Sequence, residues 1–289
     1  MLKRYYRFLP VFFFCAVIAV STVAMADSPF NYGGRAFYTV DDNVSRAQFD
    51  ADIEQDRFYT VTGDVAYTLQ LGLLNAISFA GSATAEEFAD FDGLSNTRLA
   101  ARINYRFQPS RRFGAWQWAV FAGATHIDSE TDIRDSVLTE FGFTVTKRLT
   151  DRITPTLGAT ASKREADGEV FDLERTRYFI NVDWRLGGRW LTYLTYSYIS
   201  GDVVSTSTPN DSILTWQDAI EPDNAFGGLA NNKFAYRLDA DTTVIRLGLN
   251  VALSHNSSID VSYDNLETDA AGSNKYSVGS FSLGYLLQF

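Results

Sequence analysis

Three arginines, Arg98, Arg102 and Arg106, recur at every fourth position of the stretch 98 to 107. On an extended chain side chains alternate between two faces. The even positions therefore share one face, and Leu99, Ala101, Ile103, Tyr105 and Phe107 share the other. A ladder of guanidinium groups beside water attracts anions, and lining a passage it would orient and select polar solutes. The same parity rule places Asp64, Glu140, Arg148, Arg177, Asp183, Arg185, Arg246, Asp260 and Asp264 opposite the apolar face of their own segments.

Catalytic chemistry has less to stand on. His126 shares parity with Trp116, Trp118, Val120, Ala122 and Ala124, with Asp128 two residues on and Ser129 three. A general base must reach its nucleophile, and Ser129 falls on the opposite face of an unbroken strand. Barrel phospholipases and lipid A deacylases carry His-x-Ser on one strand. The order His126-Ile127-Asp128-Ser129 departs from that pattern, so a lipid-modifying hydrolase is the weaker alternative and no enzyme is expected. His255, beside Asn256 and Ser257, has the composition of a turn. The clusters Asp41-Asp42-Asn43 and Asp50, Asp52, Glu54 offer oxygens to divalent cations, but the second lacks the glycine and spacing of a calcium loop. No cofactor and no dedicated metal site are assigned.

The elements that must carry these residues begin after a leader. Lys3, Arg4 and Arg7 precede an apolar stretch from Phe8 to Val23, and Ala24-Met25-Ala26 supplies small residues for a cut before Asp27. Residues 1–26 are expected to be a cleaved signal peptide, and 27–289 a single domain. Cys15, the one cysteine, lies in the leader, which leaves no disulfide or thiolate chemistry. Cleavage removes three cations and no acid, taking the formal net charge from −10 to −13 and disfavouring nucleic acid as a partner. No stretch after Asp27 approaches the roughly 18 consecutive apolar residues of a spanning helix. A membrane crossing would have to be made by strands.

Period two runs along the chain. In 177 to 186, Tyr178, Ile180, Val182, Trp184 and Leu186 alternate with Arg177, Phe179, Asn181, Asp183 and Arg185. In 244 to 253, Ile245, Leu247, Leu249, Val251 and Leu253 oppose Val244, Arg246, Gly248, Asn250 and Ala252. Strands are predicted at 34–41, 56–69, 74–86, 95–107, 113–126, 135–148, 153–164, 174–186, 189–201, 240–253, 258–266 and 275–289. Most are longer than globular strands, and long enough for tilted crossings of about 9 to 11 residues. Tight links at 70–73, 108–112, 149–152, 187–188 and 254–257 interleave with longer loops at 42–55, 87–94, 127–134, 165–173, 202–239 and 267–274. The loops are acidic (Asp50, Asp52, Glu54, Glu86, Glu87, Asp128, Glu130, Asp132) and the tight links basic (Arg111, Arg112, Lys147, Arg148, Arg152, Arg189). This predicts an all-β, transmembrane, antiparallel up-and-down barrel of about 12 strands, with its tight turns in the periplasm.

The chain ends Phe-Ser-Leu-Gly-Tyr-Leu-Leu-Gln-Phe, putting Ser282, Gly284, Leu287 and Phe289 at the spacing polar, glycine, apolar, terminal aromatic. This resembles the C-terminal assembly signal of Gram-negative outer-membrane β-barrel proteins. The resemblance covers architecture only and names no particular family. It implies an outer-membrane location, contact with outer-membrane lipids and lipopolysaccharide, and recognition by the barrel-assembly machinery. Expected lumen-lining residues are Asp64, Arg98, Arg102, Arg106, Glu140, Arg177, Asp183, Arg185, Arg246 and Asp260. They point to a porin-like passive channel for small polar or anionic solutes. The alternative is a plugged structural or interaction barrel whose charges pair across the lumen and whose acidic loops take divalent cations. Loop 202–239, with Trp216, Phe226, Gly227, Gly228 and Tyr236, is either a constriction folded inward or a surface loop.

Overall fold

A computed structural model describes residues 29–289; the leader expected over 1–26 lies outside the described residues. The strands are β1 (Phe30–Asp41), β2 (Asp56–Gln70), β3 (Asn75–Phe88), β4 (Asn96–Phe107), β5 (Gln117–Ser129), β6 (Ser136–Thr146), β7 (Ile153–Ala166), β8 (Leu173–Gly187), β9 (Trp190–Ser207), β10 (Ala219–Pro222), β11 (Phe234–Ala252), β12 (Ser257–Ala270) and β13 (Asn274–Gln288). Every pairing is antiparallel. The ring closes through β1 with β13 and, passing over β10, through β9 with β11. Twelve strands form the barrel wall. The thirteenth, β10, is a four-residue ribbon on the extended end of β11.

The dyad pattern decides which face meets what. Phe79, Leu99, Val120, Phe141, Leu157, Ile180, Leu194, Leu247 and Leu283 all stand exposed on the outside. Trp118, Trp184 and Trp190 ring the end with the short turns, and Tyr59, Tyr178 and Tyr198 lie nearer the other end, called here the loop end. An encircling apolar band bounded by aromatic side chains is untenable in water and suits a hydrocarbon layer. The barrel is a transmembrane one. Most of its buried apolar residues gather at the loop end, in one cluster of Val170, Phe171, Ala219 and Ala235 and another of Val203, Leu238, Ala240 and Ala270.

Inward-facing glycines shape the wall. Phe37, Phe121, Phe179 and Tyr193 lie directly opposite Gly284, Gly142, Gly158 and Gly248 on the adjacent strand, and a Cβ at any of these glycines would collide with the facing ring. The missing side chain lets each ring lie against backbone, so an aromatic fits inside without blocking the lumen.

Several boundaries differ from those predicted. The first strand begins at Phe30, and the turn placed at 108–112 extends to 116 because the fifth strand starts at Gln117. The sixth strand ends at Thr146, so Arg148 sits in a turn and is not a lumen residue. Loop 202–239 shrinks to 208–233, because β9 runs to Ser207 and β11 starts at Phe234. The added segments are buried on both faces, as at Ser205, Thr206, Ser207, Ala235 and Tyr236, so no lipid face imposes alternation on them.

Candidate pore interior

The register brings part of the predicted lumen set together. Arg102, Gly123, Glu140, Ser162 and Arg175 occupy one continuous row of partners from β4 to β8. Arg102 reaches past the glycine on β5 to pair with Glu140 at 3.0 Å, and its guanidinium lies 3.9 Å from the centroid of the Phe121 ring. A side chain at position 123 would stand 3.2 Å from the Glu140 carboxylate, so glycine keeps that route clear. In the next row Arg177 covers Phe179 at 5.1 Å and donates to Ser197 Oγ through Nε and Nη2, at 3.1 and 2.8 Å. Arg175 Nε donates to the Asp202 carbonyl at 2.6 Å. Arg102, Arg106, Glu140, Ser162, Arg175 and Arg177 line a chamber of about 750 Å³. Among the described residues, no carboxylate comes within 4.0 Å of Arg106, Arg175 or Arg177.

Asp64, Asp260 and Asp264 stand on the other side of the barrel, on β2 and β12, while Asp183 shares β8 with the arginines. Arg246 grips Asp264 through two contacts, 2.5 and 2.9 Å. Asp260 accepts from Tyr193 Oη at 2.8 Å and Asn250 Nδ2 at 3.2 Å, and Asp183 accepts from Asn181 at 2.9 Å. Asp64 faces Arg35 at 3.7 Å, lining a second cavity of about 460 Å³ at the turn end. Arg98 is set apart near the loop end, held by Glu86 at 2.5 Å and Asn96 at 2.7 Å. Arg185 lies at the turn end, where the β8–β9 register slips. Arginines outnumber carboxylates on the β4 to β8 wall, whereas Asp64 and Asp264 on the far side are paired with Arg35 and Arg246, so the net positive charge of the lumen is concentrated on one wall.

Arg175, Arg164 and Arg134 belong to the interior but were not among the expected residues. The first was legible, because it shares strand and parity with Arg177. Arg164 shares parity with the inward Ser162, and donates to Ser136 Oγ at 2.8 Å and the Arg134 carbonyl at 2.7 Å. Arg134 sits in a loop, where no alternation announces a direction. Its guanidinium stacks over Phe171 at 4.3 Å.

The segment 208–233 carries a short helix α1 (Asp211–Trp216), capped by the Asn210 side chain, and the ribbon β10. It touches every other connection at the loop end. Thr208 and Lys233 bond to Asp52 in 42–55, Phe226 packs tilted against Phe91 with ring centroids 4.9 Å apart, and Asp223 meets Arg134 at 2.6 Å. Glu221 lies against Gly168, and Trp216 against Gly272. Phe91 joins β3 to β4, half a turn around the ring from the root of the segment between β9 and β11, so the segment crosses the full mouth.

Three of the loop carboxylates considered for cations are held by protein groups. Asp41 binds Arg46 through both oxygens at 3.2 and 3.0 Å, Asp42 accepts from the Gly279 N–H at 2.7 Å, and Asp52 takes Lys233 at 2.9 Å. Among the described residues, no three His, Cys, Asp or Glu side chains converge as a metal-binding group. His126 is exposed on the outer face. Ser129 lies inside, its N–H bonded to Asp135 at 2.6 Å.

A closed, membrane-spanning antiparallel barrel with a charged, partly open interior is the class this geometry defines. An outer-membrane channel from Pseudomonas putida F1 shares the fold, with a TM-score of 0.57 and 10% identity, over 91% of this chain and 96% of that one. The NanC porin aligns over 89% of this chain and 98% of its own at 9% identity, with a TM-score of 0.49. No protein-family model matches the chain, and no curated protein matches it in sequence.

Proposed function

We propose that this chain is a porin-like passive channel of the bacterial outer membrane that admits small polar solutes and favours anions. The observation that carries this reading is the mid-lumen chamber, where among the described residues no carboxylate lies within ion-pair distance of Arg106, Arg175 or Arg177. Unneutralised guanidinium groups between low-dielectric walls raise the local concentration of anions. Asp64, Arg98, Arg102, Arg106, Glu140, Arg177, Asp183, Arg185, Arg246 and Asp260 then line the passage. The tight turns face the periplasm and the crossing segment faces outward. The apolar belt sits among outer-membrane lipids and lipopolysaccharide. The terminal pattern Ser282, Gly284, Leu287 and Phe289 is what the barrel-assembly machinery reads, on a strand whose Phe289 exchanges backbone bonds with Tyr32 at 2.8 and 3.0 Å.

One observation favours a second reading, a barrel closed to solutes: the segment 208–233 crosses the mouth. Conductance separates the two. The mature protein, refolded and placed in a planar bilayer, should show discrete single-channel currents with anion preference under two salt gradients. Arg102→Glu should shift the reversal potential toward cations, because it removes a positive charge and sets a new carboxylate beside Glu140. A folded barrel silent at every voltage contradicts the channel; a conducting Arg102→Glu with unchanged reversal potential takes Arg102 out of the selectivity path.

A further inference from the structure

The chamber is bordered by two arginine pairs set a third of the way around the ring from each other. Arg102 and Arg106 stand on β4, Arg175 and Arg177 on β8, with β5, β6 and β7 between them. Four strand spacings amount to about 19 Å along the wall, and both pairs border the same 750 Å³ space. The wall between them is built low. In the row ending at Arg177 the intervening residues are Phe121, Gly142 and Thr160, and in the row beginning at Arg106 they are Ala119, Thr144 and Gly158. Phe121 is turned onto Gly142 instead of standing into the space. Glu140, the acidic lining residue, is engaged by Arg102. Positive charge is therefore left at both sides of the chamber: Arg106 on one, Arg175 and Arg177 on the other.

We infer that this chamber is a binding site for small solutes carrying two separated acidic groups, one held by the Arg106 side and one by the Arg175–Arg177 side. Resting on the channel reading for its route of entry, this narrows the solute class from anions in general to diacids. Guanidinium forks bind carboxylate and phosphate oxygens in pairs. A monoacid can satisfy one side only, whereas a diacid joins both, and the second contact forms at the high effective concentration set by the first. Polar groups along the lining, Asn104, Gln117 and Ser162 among them, can bond to a hydroxylated or hydrated middle.

The test uses glutarate and butyrate as probes on the refolded full barrel. In potassium chloride, glutarate should interrupt single-channel current at a concentration at least about tenfold below that needed for butyrate. Arg106→Gln and Arg177→Gln should each abolish that preference. Lys163→Gln, on the outer face, should leave it intact. Equal action of the two acids on a conducting barrel overturns the diacid site while leaving the channel reading in place, as does a preference that survives both arginine substitutions. Should the barrel carry no current, titration calorimetry in detergent decides the site separately. Glutarate binding lost in Arg177→Gln upholds it, and no glutarate binding to the wild type removes it.

Discussion

Gly284 is legible in the sequence only as one letter of a terminal pattern, and the structure supplies a physical reason for it. It faces Phe37 across the seam where the first and last strands close the ring, and the ring of Phe37 occupies the space a side chain would take. Gly142, Gly158 and Gly248 play the same part for Phe121, Phe179 and Tyr193. Gly284→Ala should displace Phe37 into the lumen and lower stability by about 1 to 3 kcal/mol, the usual cost of overpacking. Because both residues share one contact, Phe37→Ala combined with Gly284→Ala should cost less than the two single changes added together. Urea unfolding followed by the heat-dependent gel mobility of the refolded barrel measures all four corners of that cycle. Strict additivity would mean that the ring and the glycine are neighbours without being coupled.

At the scale of one strand, β11 shows how far alternation carries. Leu247 and Val251 have the outward parity, and Arg246 and Asn250 the inward one. Leu247→Arg, deep in the belt, should cost about 2 to 4 kcal/mol, and Val251→Arg, opposite Trp190 at the turn end, about 1 kcal/mol or less. The order of the two midpoints in denaturant checks the depth assignment, and a larger effect at Val251 would mean the belt is placed too high. The twelve wall strands were readable because lipid on one side and water on the other force a two-residue period. Where that contrast fails the reading fails, as at 203–207 and 234–238, where residues of both parities are buried. Parity also revealed which charges point inward, but not their partners. That Arg102 meets Glu140 across an intervening strand depends on register and on Gly123, and neither follows from a single segment.

For the whole molecule the controlling feature is the segment crossing the mouth, whose contacts are spread over five other connections and could not be read from its own residues. Two ties hold it. Asp223, fully buried, takes Arg134 at 2.6 Å and Thr206 at 2.7 Å; Asp52 takes Thr208 Oγ1 at 2.7 Å and Lys233 at 2.9 Å. Removing one partner from such a buried pair costs about 3 to 5 kcal/mol, enough to free the segment while the wall, built from separate strand pairings, stays closed. Burial pushes the Asp52 carboxyl up, but the hydrogen bonds from Thr208 and Lys233 outweigh it and hold the group below its ordinary 3.8. A carboxyl depressed in the folded state stabilises fully above its unfolded value and loses that contribution as pH falls through the folded one. The Asp52 tie should therefore hold at neutral pH and weaken below about pH 4. Wild-type channels should pass small, quiet currents at pH 7 and larger, noisier ones at pH 3, and Asp52→Asn should bring the acid behaviour to pH 7. Replacing 209–232 with a short glycine-serine link should give the large current at both values. If the shortened barrel conducts no better than the wild type at pH 7, the segment lies beside the ion path and the limiting passage is the arginine-lined chamber beneath it.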